Sequence, residues 1–329
     1  MRPMENYSKY YKVIEDIKYG RIQSATEATL AVLRTAVRFT EEARGVSEVR
    51  NFLKHLFFKS IEARPTNALL INVIRGAILS IKEAIDLNDM KRLREVFNEY
   101  YNEIVKEIKV MNDAIAKMAI NRIEDGDHVL TYSYSTIVMK ALKLAKDKEK
   151  NIRVYVPESR PGLEGLNTAR ELERYGIPVT LFVDSATRYF MKEVNKVLIG
   201  AEAIAANGAI VSKVGTSLVA LAAHEARVNV FVLAPTLKFS PETIYGELVE
   251  LLEKEPESFI SIEHMHKMGL KINDKFNVKV PMFDVTPPEY IDAIITERGL
   301  IAPQAVTFML REIYGWPFQF APLKELLGD

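Results

Sequence analysis

Two hydrophobic rhythms share this chain, and the point where one gives way to the other limits the folds it can reach. Up to about residue 122 the apolar residues recur at helical spacing, with little sign of strands. Ser24-Ala-Thr-Glu27 reads as a capping box, in which the Ser24 hydroxyl takes the Glu27 amide and Glu27 reaches back. Ala28, Leu30, Leu33 and Val37 continue a helix behind it. Ser47 stands where it could cap a second helix carrying Val49, Phe52, Leu53 and Leu56, and Thr66, after Arg64-Pro65, where it could cap a third. A fourth stripe runs through Leu93, Val96, Phe97, Tyr100, Ile104, Ile108, Met111 and Ile115. This half is expected to be a helical bundle.

After Glu124-Asp-Gly-Asp127 the rhythm changes. HVLTYS, IRVYVPE, IPVTLFVD, KVLIGAE, NVFVLAP and IDAIITE are short, apolar and mostly β-branched. Helical patterns at 137–145, 163–175, 186–194 and 216–226 separate most of them. Strands apolar throughout, alternating with helices, need cover on both faces of a parallel sheet. The expected fold is α/β: a helical N-terminal domain (1–122), then a Rossmann-like, doubly wound parallel-sheet domain (123–329). Residues 254–282, polar and rich in Lys and Glu, read as a surface excursion before the last strand.

Composition narrows the function. Lys plus Arg total 44 and Asp plus Glu total 44, so the chain is no general electrostatic binder of nucleic acid. It has no cysteine, which excludes disulfides, thiolate metal sites and a cysteine nucleophile. The first twenty residues lack the apolar core of a signal peptide, and ALLINVIRGAIL, cut by Arg75, is too short to cross a bilayer. A cytoplasmic protein with no membrane partner is expected. Neither G-x-G-x-x-G nor a P-loop follows the first strand, so no cofactor is expected. His264-Met-His266, in the polar excursion, reads as a solvated pair, and no metal is expected. Tyr7-Ser-Lys9-Tyr10-Tyr11-Lys12 reads as the packing edge of a helix.

In an open parallel sheet, ligands gather at the carboxyl ends of the strands. Those ends carry Thr131 to Ser135, Glu158 to Pro161, Asp184 to Arg188, Gly200 to Glu202, Pro235 to Lys238 and Thr296 to Gly299. Hydroxyls, carboxylates and cations together suit a polyhydroxy or phosphorylated small molecule. Lys213-Val-Gly215-Thr216 opens a helix and could grip a phosphate through amides and a lysine charge, or be a glycine turn capped by Thr216. Asn207-Gly208 is the turn that would place it. Arg160 could clamp a phosphate or pair with Glu158 or Glu164. Glu202, at the end of a buried strand, needs a partner or a role.

The segments VYVPESRPGLEG, ELERYGIPVTLFVDSA, VLIGAEAIAANGAIVSKVGTS, FDVTPPEYID and ITERGL resemble one superfamily across essentially the whole chain. It holds the alpha, beta and delta regulatory subunits of translation initiation factor 2B and two isomerases, of ribose 1,5-bisphosphate and of methylthioribose 1-phosphate. The resemblance implies a helical domain, a Rossmann-like domain, and assembly into a homodimer or homohexamer. It places Ser133, in Thr131-Tyr132-Ser133, where the isomerases carry a catalytic cysteine, and Glu202 where they carry a catalytic aspartate. Ser212-Lys213 matches their Asn-Lys, and Tyr19-Gly20-Arg21 is the nearest match to their Arg-Gly-Ala phosphate loop. Arg64 and Arg160 match arginines that face phosphate.

A serine hydroxyl does not exchange protons at neutral pH as a thiol with a pKa near roughly 8.5 does. Glutamate moves the carboxylate by about one ångström, a shift that costs roughly a hundredfold in a tuned site. The expectation is therefore a regulatory protein like the initiation factor 2B alpha subunit, its isomerase chemistry lost. It would bind a sugar phosphate or nucleoside monophosphate through Gly20, Arg21, Arg64, Tyr132, Arg160, Asn207, Ser212, Lys213, Gly215 and Thr216, and would contact initiation factor 2. The alternative is a ribose-1,5-bisphosphate isomerase in which Glu202 is the acid/base and Ser133 only a hydrogen-bonding group.

Overall fold

The computed structural model describes residues 7–246, 251–273 and 275–315; residues 1–6 and 316–329, the two ends of the expected domains, lie outside the described residues. Five helices come first: α1 (Ser8–Lys18), α2 (Ala25–Glu42), α3 (Val46–Ala63), α4 (Ala68–Asp86) and α5 (Met90–Ala119). Their apolar stripes meet in one core, where Phe39 and Phe52 stack with ring centroids 3.6 Å apart and Tyr7 and Tyr10 stand edge-on to them. The aromatic start of the chain is thus a packing edge, as expected.

Two of the expected caps are elsewhere. The Ser24 hydroxyl does accept from the Glu27 amide at 3.3 Å. Helix α3, however, starts one residue before Ser47, behind Gly45. Helix α4 is capped by Asn67, whose Oδ1 accepts from the Leu70 amide. The Asn67 amide group also donates to the carbonyl of Ala25, so one buried residue ties the starts of α2 and α4 together. A threonine at 66 reaches one turn and no further; asparagine carries both a donor and an acceptor, and here uses both.

The sheet region follows as β1 (His128–Leu130), α6 (Thr136–Asp147), β2 (Arg153–Pro157), α7 (Glu164–Arg174), β3 (Val179–Phe182), α8 (Thr187–Phe190) and β4 (Lys196–Gly200). Next come β5 (Ala203–Ala205), β6 (Ile210–Lys213), α9 (Thr216–Ala226), β7 (Asn229–Leu233) and β8 (Phe239–Ser240). The chain continues with α10 (Ile262–Lys267), β9 (Phe283–Thr286), β10 (Ala293–Thr296), β11 (Gly299–Ile301) and α11 (Val306–Tyr314). The main sheet has seven strands in the order β11-β10-β7-β4-β1-β2-β3. All its pairings are parallel except β10 with β11. All six expected strands are present, in doubly wound order, with the switch point between β1 and β4. The last turns of α5 (Ile115, Ala116, Ala119) pack in the core under this sheet, so that helix joins the two halves.

A second sheet of four strands, β8-β5-β6-β9, was not legible as strands. It folds back the segments just after β4 and just before α9, and so carries Glu202 and Lys213 towards the helical half.

Candidate active site

The carboxyl ends of β1 and β4 diverge at the switch point, and a cavity of about 40 Å³ opens there. Its wall comes from the β1–α6 loop (Tyr132 to Thr136), the end of β4 (Gly200 to Glu202), Ser212, Lys213, Lys238, Phe283, Arg64 and residues 23–26 at the start of α2. A second, outer cleft of about 490 Å³ adjoins it, sharing Gln23 and Tyr134 and adding Arg21, Lys143, Asn167, Arg170 and Arg174.

The β1–α6 loop is held in a strained form. Ser133 has a φ of +62°, which costs a non-glycine residue roughly 1–2 kcal/mol. Two hydrogen bonds keep it there: its amide donates to Ser159 Oγ at 2.9 Å, and its carbonyl accepts from Thr168 Oγ1 at 2.7 Å. Tyr132 is buried, with its hydroxyl donating to the Val214 carbonyl at 2.8 Å. Burial, then the charges of Asp184, Asp284 and Glu164, raise its pKa, so the phenol stays protonated. Two glycines make the approach possible. A Cβ on Gly200 would lie 2.7 Å from Ser135 Oγ, and one on Gly215 would lie 2.2 Å from Tyr132 Oη.

Glu202 finds its partner in the helical half. Arg64, at the end of α3, clamps it from both sides, Nε to Oε2 at 3.0 Å and Nη2 to Oε1 at 2.7 Å. The side chains are 9% and 12% exposed, so the pair is nearly dry. Arg64 also donates to the Gln23 carbonyl at 2.9 Å, and the Ala68 amide at the start of α4 donates to the Glu202 carbonyl. Burial alone would push the Glu202 carboxyl up; Arg64 and Lys238 outweigh it and hold it below the usual carboxylate range. It is a carboxylate at neutral pH.

Lys238 was legible only as part of a strand end and was not singled out. It is buried, its Nζ donating to the Ala201 carbonyl at 2.5 Å, next to Glu202. Asn72 of α4 fixes its segment by donating to the carbonyls of Leu237 and Phe239 at 2.8 and 2.9 Å. Burial pulls its pKa down to about 8; Glu202 opposes the shift and Arg64 adds to it. Lys213 pairs with buried Glu164 at 2.7 Å, and Phe283 lies under both Lys213 and Arg64, 5.0 and 5.8 Å from its ring centre. The cavity wall therefore carries Arg64, Lys213 and Lys238 against one carboxylate, Glu202.

The expected residues divide accordingly. Arg64, Tyr132, Ser133, Glu202, Ser212 and Lys213 line the cavity. Ser212 donates to the Gly200 carbonyl at 3.2 Å. The Gly215 amide and the Thr216 hydroxyl are already engaged. Asp284 takes the amides of Gly215 and Ser217 at 2.7 and 3.2 Å, and Thr216 Oγ1 donates to the Lys213 carbonyl. A carboxylate from β9 thus fills the helix end expected to grip phosphate. Asn207 accepts from the Ala209 amide in the β5–β6 turn, outside the cavity lining. Arg160 also lies outside that lining and donates to the Phe259 carbonyl. Arg21 lines the outer cleft and pairs with Asp16, and Gly20 lines neither space. The wall expected from Gly20-Arg21 is built instead by Gln23-Ser24-Ala25, where small residues let the chain pass close by. That pair of small residues before an apolar stripe was the available signal. Asp184 and Glu297 are structural: the first accepts the amides of Ser159 and Arg160, the second the amide and hydroxyl of Thr236.

Relatives point to an enzyme. A Methanocaldococcus jannaschii protein named ribose 1,5-bisphosphate isomerase is 40% identical over 319 residues, covering 96% of this chain and 98% of its own length. A Pyrococcus furiosus protein of the same name is 38% identical over 313 residues, covering 94% and 95%. The crystal structure of the translation initiation factor eIF-2B of Pyrococcus horikoshii OT3 superposes with a TM-score of 0.75 at 28% identity, covering 90% of this chain and 98% of that one. The expectation of a regulatory protein without catalysis is overturned by the two isomerases. It rested chiefly on Ser133 and Glu202, and gave no weight to the buried Lys238 beside Glu202. The model of the initiation factor 2 subunit family matches residues 21–303, and the chain belongs to that family.

Proposed function

We propose that this chain is an aldose–ketose isomerase acting on ribose 1,5-bisphosphate. The observation that carries the reading is the buried carboxylate of Glu202, clamped by Arg64 and adjacent to the buried ammonium of Lys238. The identities of 40% and 38% to proteins named for this reaction support the choice of substrate.

The conversion opens the furanose ring, moves one hydrogen with its electron pair from C2 to C1 and makes C2 a carbonyl. The ring oxygen gains a proton as its bond to C1 breaks, and the C2 hydroxyl loses one as the carbonyl forms. There is no net oxidation. The two proton transfers call for an acid and a base in one dry site. Lys238, with a pKa of about 8, is the acid for the ring oxygen. Glu202 is the base for the C2 hydroxyl; each of its oxygens keeps a lone pair beyond the one Arg64 uses. Ser133, on its strained turn, orients the sugar by hydrogen bonding. Lys213 and the first amides of α6 face the phosphate on C1. The 40 Å³ cavity holds about one water, so the sugar enters from the outer cleft and displaces Glu164 from Lys213.

The test is direct. The native protein is incubated with ribose 1,5-bisphosphate and ribulose 1,5-bisphosphate is followed. Turnover is expected, and Glu202→Gln is expected to lower kcat by roughly 10²- to 10⁴-fold. Absence of turnover in the folded native protein refutes the reading.

A further inference from the structure

Lys254 has no part in the chemistry above, yet its position is unusual. It lies where the excursion expected on the surface begins. Its amide donates to the Val280 carbonyl at 2.8 Å, and the Met282 amide donates to the Leu252 carbonyl at 2.9 Å. The two ends of the excursion are thereby joined just before Phe283, the ring that lies under Arg64 and Lys213. From this anchor the Lys254 side chain runs, half-buried, to Gly20: a Cβ built there would lie 3.2 Å from its Nζ. It has no hydrogen-bonding or ion-pair partner among the described residues, whereas Lys213 and Arg64 are both paired. Burial, then Lys213, push its pKa down; Glu164 opposes this and Arg64 adds to it. A half-buried cation without a partner, repelled by two cations of the site, is at a disadvantage until an anion arrives.

We infer that Lys254 is a specificity residue: it holds the phosphate on C5, at the mouth of the site, and so selects doubly over singly phosphorylated pentoses. The inference rests on the isomerase reading for its substrate. Lys238 and Glu202 occupy the deep end, where C1 and C2 react. Lys254 lines neither the cavity nor the outer cleft; it stands beside Gly20, next in the chain to the cleft residue Arg21, and close enough to Lys213 and Arg64 to be repelled by both. A sugar lying along that axis brings its far phosphate to the unpaired ammonium.

The experiment compares the native protein, Lys254→Met and Lys254→Arg on ribose 1,5-bisphosphate and on ribose 1-phosphate. A charge-assisted hydrogen bond to phosphate corresponds to roughly a 10- to 100-fold change in affinity. Lys254→Met is expected to raise KM for the bisphosphate by about that factor, with kcat within about threefold. KM for ribose 1-phosphate is expected to stay unchanged, and Lys254→Arg to restore most of the loss. Equal effects on both sugars, or none on either, overturn the inference. Calorimetric titration of the same proteins with ribulose 1,5-bisphosphate and ribulose 1-phosphate separates the two readings. A native protein that binds the bisphosphate without turnover, and loses it selectively in Lys254→Met, refutes the isomerase and keeps the role of Lys254 for a phosphate on such a ligand. A native protein that binds neither sugar overturns both.

Discussion

Replacing Arg64 with methionine removes the partner of Glu202 and leaves its carboxylate in a nearly dry wall. Two bonds to the carboxylate, at 2.7 and 3.0 Å, are lost, and so is the bond to the Gln23 carbonyl. Both side chains are about nine-tenths buried, so solvent does not screen the loss. Removing one partner of such a pair costs about 3–5 kcal/mol, largely because a buried charge remains uncompensated. For a chain of 329 residues the unfolding entropy near the midpoint is about 0.7 kcal/mol/K, so Tm should fall by about 4–7 °C. Differential scanning calorimetry at pH 7 measures this. The Glu202 pKa should also rise, since burial, its largest single influence, already acts upwards. The double variant Arg64→Met, Glu202→Gln completes the cycle. It no longer buries an unpaired carboxylate, and Lys238, its pKa already pulled down to about 8 by burial, can shed its proton, so the double variant should recover at least half of the lost Tm. A single variant within about 1 °C of native, or a double variant less stable than the single one, refutes the account of Arg64 as counter-ion.

Three further outcomes follow from the same geometry. With Lys238 as the acid and a pKa of about 8, kcat/KM should fall about tenfold per pH unit above that value, and Lys238→Met should abolish this limb together with most activity; a flat profile to pH 10 counts against the assignment. Gly215→Ala puts a side chain at φ +98° and 2.2 Å from Tyr132 Oη, so urea denaturation should show a loss of about 2–4 kcal/mol, partly relieved by Tyr132→Phe; a loss under about 0.5 kcal/mol would show that the turn relaxes freely. Burial raises the Asp284 pKa from 3.8 to about 6, with the Gly215 and Ser217 amides opposing. Its native form thus binds a proton more tightly than the unfolded chain does. That contribution to stability is complete below pH 3.8 and is lost as pH rises through about 6, and Asp284→Asn should remove this dependence from urea midpoints measured between these values.

The main sheet was legible because its central strands are buried on both faces. VLIGA (197–201) and VFVLAP (230–235) are apolar at every position, which a half-exposed strand does not require. The second sheet was not legible, because β5 is three residues with alanine at both ends and β8 only two residues; neither leaves a period to read. Glu202 and Lys213 stood out as polar residues within apolar runs, and both are in the site. Arg64 was named through the resemblance, but its bond to Glu202 spans 138 residues, and no local pattern reports such a contact. Lys238 and Lys254 resemble surface lysines in sequence; only tertiary packing buries the first and half-buries the second. At the helix end of Gly215 and Thr216 nothing in the local sequence pointed to Asp284, the carboxylate that takes the Gly215 amide, because it arrives from β9, far along the chain.

Arg64 and Asn72 bridge the helices to the floor of the cavity, one through Glu202 and the other through the segment that bears Lys238. The proposed acid and base are therefore both aimed from the bundle rather than from the sheet that encloses them. A substitution that shifts α3 or α4 within the bundle would therefore change turnover as well as stability. The reaction rate then becomes a gauge of how firmly the two halves of the chain are seated on each other.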